Sequence, residues 1–183
     1  MKTHSHEAAF PQYHHELGHN EVKTRHLILY ISRHGFGLTR LNKALWKADF
    51  DAYAATGRAI TGEEYQHIPF GPGLRRMKPL LSKMQQAGDL RFEAAQEFEE
   101  QRPIPLIEPD TDLFSTEELA FVDAAVAIIE PMTAKEAELW SHDFPGWRLT
   151  DEGEVIPYEW VFWSERPLTE SEVAYGLSLD RAI

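Results

Sequence analysis

The sequence predicts an α+β fold, predominantly α-helical: a compact helical domain with a small antiparallel β element. Three observations carry this. Apolar residues recur at three- and four-residue spacing over several long stretches, Ser/Thr-x-x-Glu signals open two of the clearest, and only short extended runs lie between them. At 183 residues, 43% hydrophobic and 26% charged, the chain is long enough for one core and has a globular composition.

Residues 1–20 hold five histidines, and Pro11 and Gly18 discourage a continuous helix there. This stretch reads as a flexible His-rich arm ahead of a single domain over 21–183. "EVKTRHLILYISRHG" places Val22, Leu27, Ile28 and Ile31 near one face and stops at Gly35, giving a first core helix. Thr39 is the expected cap of a second, in which Leu41, Leu45, Ala48 and Ala52 form the stripe and Gly57 the end. "RAITGEEYQHIPFGPG" is rich in turn signals and reads as a short extended segment and a loop, with Gly71 and Gly73 serving turn dihedrals and Pro72 starting the next helix. That helix is "LRRMKPLLSKMQQAG", kinked or limited at its start by Pro79.

"DLRFEAA" and "RPIPLIEP" suit a short hairpin whose second strand Pro103 and Pro105 confine to an edge. Ser115 and Glu118 form a capping box ahead of a stripe of Leu119, Val122, Val126 and Ile129, and Thr133 with Glu136 opens the following helix, ended by Pro145 and Gly146. "IPYEWVFWS" looks like an aromatic strand, alternating Trp160 and Phe162 against Val161 and Trp163, and Thr169 with Glu172 signals a last helix.

The net charge of −12 is unevenly spread. Residues 22–91 hold 12 Lys/Arg against 5 Asp/Glu, a local +7, whereas residues 92–183 hold 22 acids against 5 bases, a local −17. No apolar run reaches the roughly 18 residues of a membrane span, and "MKTHSHEAAF" lacks the apolar core of a signal peptide. With no cysteine there are no disulfides or thiolate sites, in keeping with a cytoplasmic protein.

Three stretches, "LILYISRHGFGLTRLNKALWKADF", "TGRAITGEEYQHIPFGP" and "SHDFPGWRLTDEGEVIPYE", together resemble the Panacea domain family, the SocA-like antitoxins and proteolysis adaptors. The similarity runs from about Val22 to Glu159, in the family's order, and departs from it at Gly73 and Leu74 after "GP". The resemblance implies a mostly helical domain that neutralises a protein toxin, encoded by a neighbouring gene, by direct binding, in some members with delivery to a protease. Neither activity requires a catalytic site or a cofactor. Within the resembling stretches Tyr65, Phe70, Gly71, Pro72, His142, Trp147, Tyr158 and Glu159 are candidate partner contacts, with Phe70 as an exposed anchor and His142 fixing local backbone. Glu117 and Glu138 join them on charge, since acids could occupy the cationic groove of a toxin acting on RNA.

Two other classes compete. "GFGLTRLNKALWKADF" has the look of a helix-turn-helix, with Arg40, Lys43 and Lys47 as phosphate contacts for a DNA-binding regulator. His15, Glu16 and His19 have the H-E-x-x-H spacing of a zinc peptidase, but Gly18 interrupts the motif and no third ligand is specified, so no metal site is expected. His26, His34 and His67 are too scattered to form a ligand set.

Overall fold

A computed structural model describes residues 19–93, 101–163 and 169–171. Its central element is α2 (Leu38–Thr56), which packs against α1 (Glu21–Ser32), α4 (Thr116–Ile129), α5 (Ala134–His142), the strand β2 (Gly71–Leu74) and a 3₁₀ turn over Tyr158–Phe162. Leu41, Ala44, Leu45, Trp46, Ala48, Phe50, Ala52 and Tyr53 are all buried, so the apolar stripe of α2 is broad, as suits a helix enclosed by its neighbours. Its N-cap is Gly37, not Thr39, which lies buried in the first turn; its C-cap is Gly57 at φ +73, as read from the sequence. In α1 the apolar face is Leu27, Ile28, Leu29 and Ile31, while Val22 is exposed.

The remaining elements are β1 (Tyr65–Ile68), α3 (Met77–Ala87), β3 (Leu90–Glu93), β4 (Arg102–Pro105) and a four-residue helix, α6 (Pro145–Arg148). Both capping boxes form, Ser115 with Glu118 and Thr133 with Glu136. The expected β3–β4 hairpin also forms, pairing Leu90 with Pro105 and Phe92 with Pro103. The Leu106 N–H donates to Asp89 O, which makes those two pairs the non-hydrogen-bonded ones of the ladder. The prolines therefore remove no ladder donor.

The sequence reading is corrected in two further places. "YQHIPFGPGL" is a second antiparallel hairpin, β1–β2, so Pro72 sits in a strand and α3 starts only at Met77. Pro79 falls in the first turn of α3, where its missing N–H has no intrahelical partner to lose. The aromatic tail is a 3₁₀ turn rather than a strand: Tyr158 points into the core, stacked on Phe50 at 4.4 Å, while Phe162 and Trp163 are exposed. Of the helix expected after Thr169, only Glu170 and Ser171 are described.

The charge asymmetry resolves into contacts between the two segments. Lys23 pairs with Glu118, Arg33 with Glu108, and the Tyr30 hydroxyl donates to Asp123. A buried polar cluster ties α1, α2 and β1 together. Asp49 accepts from the Thr61 N–H at 2.8 Å, the Thr61 hydroxyl and the Tyr65 hydroxyl at 2.7 Å. Burial pushes the Asp49 carboxyl above the usual range, and these hydrogen bonds oppose that shift. Glu63, also buried, accepts from the Thr24 hydroxyl at 3.0 Å, and its carbonyl accepts from the Tyr158 hydroxyl at 2.8 Å.

Candidate functional site

The β1–β2 hairpin turns over two residues, Pro69 and Phe70, with Ile68 facing Gly71 across the ladder. Phe70 is 54% exposed although both strands that carry it are held from below. The Trp147 indole N–H of α6 donates to Ile68 O at 3.0 Å, and the Lys43 ammonium of α2 donates to Pro72 O at 2.7 Å. The His142 imidazole, at the end of α5, stacks parallel on Trp147 at 3.9 Å, with its Nε2 buried and without a hydrogen-bond partner among the described residues. His67 stacks on the same indole at 4.4 Å and bonds through Nδ1, necessarily as donor, to Thr150 O at 2.8 Å.

Gly71 completes the brace. It adopts φ +93, and a Cβ there would overlap Ser141 Oγ and lie 2.9 Å from Lys43 Nζ. Ser141 is fully buried and donates its hydroxyl to Glu138 O at 2.7 Å. Burial, first of all, and then the ammonium groups of Lys43 and Lys135 hold the His142 imidazole below its usual range, against the opposing pull of Glu138 and the nearby Pro69 backbone. The arrangement is a rigid platform that presents one aromatic ring.

Residues 41–148 match a family described as antitoxin SocA-like, Panacea domain. The chain belongs to this family. No curated protein and no solved structure matches the chain. The matched span contains the whole brace, Lys43, Ser141, His142 and Trp147 as well as the hairpin, and is shorter at both ends than the resemblance read from the sequence. It makes this an antitoxin-like domain. Among the described residues, no helix is long and apolar enough to cross a membrane.

The candidate contacts fall into two groups in this Panacea domain. Phe70, Glu117 and Glu159 are exposed, with His142 and Trp147 half-buried beside the hairpin. Tyr65, Gly71, Pro72 and Tyr158 are buried, so they shape the site from within and are not contact surface. Glu138 is also withdrawn, with its side chain 15% exposed and paired to Lys135 at 2.6 Å; Glu159 accepts from the Tyr53 hydroxyl.

The helix-turn-helix reading does not survive as a row of phosphate contacts on α2. Lys43 is buried, Arg40 lies over the Phe36 ring at 4.8 Å, and Lys47 pairs with Asp51. His15 and Glu16 lie outside the described residues, and His19 bonds Glu63 at 3.2 Å and Arg76 at 3.0 Å. His26 accepts from the Asp110 N–H, and His34 faces Glu130. No group of three or more potential metal ligands occurs among the described residues. Sequence reasoning missed Ser141 and the true role of Lys43. The only signal was indirect: Lys43 is followed by Ala44, Leu45 and Trp46, and a lysine buried beside such a run requires a buried acceptor.

Proposed function

We propose that this Panacea domain neutralises a protein toxin by binding it directly, with the β1–β2 tip at the centre of the contact face. The supporting observation is Phe70, a large aromatic left half in water on a turn hydrogen-bonded from α6 and α2 and packed against Ser141 of α5. An aromatic held in place before binding loses little freedom on association, which is how interface anchors gain affinity. Glu117, exposed on the first turn of α4, adds steering toward a cationic partner surface. The toxin is the product of a neighbouring gene, and handing the bound toxin to a protease is the finer form of the same activity.

Co-expression with the adjacent reading frame is the test. The two products should copurify, and growth inhibition by the partner should disappear. Phe70→Ala should weaken binding tenfold or more at a stability cost well under the about 3–5 kcal/mol of a buried phenylalanine. Neutralisation without any complex, or Phe70→Ala binding with unchanged affinity, would remove the proposal.

A further inference from the structure

We infer that Lys43 is the positioning residue of the docking hairpin: its buried ammonium fixes the tip from beneath, so partner affinity depends on a side chain that no partner atom reaches. The inference rests on the β1–β2 tip being the contact face. On its outer side β1 meets the segment after α6, where the His67 N–H donates to Glu154 O at 2.9 Å and the Ile156 N–H to Tyr65 O at 2.8 Å. These bonds point away from β2. His67 with Pro72 and Tyr65 with Leu74 are therefore the non-hydrogen-bonded pairs of the hairpin, and the backbone polar groups of Pro72 and Leu74 point outward from its edge.

That edge is not in water, because β2 is buried along its whole length. Each outward group needs a partner from somewhere other than solvent or another strand. Two successive residues of α2 supply partners for two of them: Asn42 Oδ1 accepts from the Leu74 N–H at 3.0 Å, and Lys43 Nζ donates to Pro72 O at 2.7 Å. A methionine at position 43 would bury more cheaply than an ammonium but would leave Pro72 O without this donor. Pro72 lies two residues from Phe70. With Trp147 holding Ile68 on the other strand, the lysine pins the second of the two strand ends that enter the turn.

The absence of cysteine in the chain permits an atom-level test. Lys43→Cys can be alkylated while unfolded and refolded, either with an aminoethyl group, which rebuilds the lysine with sulfur in place of one methylene, or with a propyl group, which has the same length and no donor. The aminoethyl protein should match wild type. The propyl protein should bind the product of the adjacent reading frame about tenfold or more weakly, the loss expected for one charge-assisted hydrogen bond. Its amides from Ile68 to Gly73 should exchange faster, with those of α4 unchanged. Lys43→Met made directly in cells gives the same comparison without refolding.

Equal exchange at the tip in the two alkylated proteins would overturn the inference without reference to any partner. Equal affinity of both forms, in a background where Phe70→Ala does weaken binding, would also overturn it. Phe70→Ala binding like wild type would instead defeat the contact-face reading, and the two failures are thereby told apart.

Discussion

Gly71→Ala tests the brace at its tightest point. The first cost is conformational: at φ +93 an L-residue is strained by roughly 1–2 kcal/mol. The second is steric, because the added methyl overlaps Ser141 Oγ and sits 2.9 Å from Lys43 Nζ and 3.1 Å from Lys43 Cε. Forcing a methyl into a packed core costs about 1–3 kcal/mol. The total should be about 2–5 kcal/mol. Gly57→Ala is the control, since Gly57 has φ +73 but nothing within 4 Å of a built Cβ, and it should show only the conformational cost of roughly 1–2 kcal/mol. Urea unfolding with a constant m-value gives both numbers. Ser141→Ala added to Gly71→Ala should return part of the loss, even though alone it removes the bond to Glu138 O. Equal destabilisation by Gly71→Ala and Gly57→Ala would refute the packed brace.

Asp49→Ala leaves the Thr61 N–H and the Thr61 and Tyr65 hydroxyls without their buried acceptor, and should cost on the order of 3–5 kcal/mol in the same assay; an unmoved midpoint would contradict the buried network. Because His142 is held below the usual 6.5, the unfolded chain binds that proton first. Stability should therefore be whole above 6.5, decline as pH falls through that value, and level off at the lower folded value. His142→Phe keeps a ring against Trp147 and abolishes this component, so wild type should lose more stability than the variant between about pH 7.5 and 5. Parallel losses in the two proteins would show that His142 is not the group responsible.

What was legible in the sequence was local. The boxes at Ser115 and Thr133 and the stop at Gly57 depend on residues within one helical turn, and each formed where read. The β3–β4 hairpin was legible despite two prolines because they are spaced by two and so fall together on non-bonded positions. The β1–β2 hairpin was not, because its identity as a strand pair depends on distant partners: Glu154 and Ile156 on one side, Asn42 and Lys43 on the other. The run Tyr158–Phe162 misled for a related reason. Aromatics favour strands on average, but here Tyr158 is claimed by Phe50 and the Glu63 carbonyl, and the backbone coils to deliver it. At the site, Phe70 was identified from its turn, whereas the burial of Pro72 and Gly71 depends on α2 and α5.

The cross-segment pairing of charge also bears on synthesis. When α1 and α2 have left the ribosome, Lys23 and Tyr30 still await Glu118 and Asp123, and the apolar girth of α2 awaits α4, α5 and the turn at Tyr158. The emerging first half is therefore a cationic segment with a bare apolar helix, beside a ribosome made largely of polyanion. Closure must wait until nearly 160 residues have emerged. Until those second-half elements arrive, the apolar contacts of α2 and the partners of Lys23 and Tyr30 are unmade, so the first half lacks much of what holds it in the finished fold.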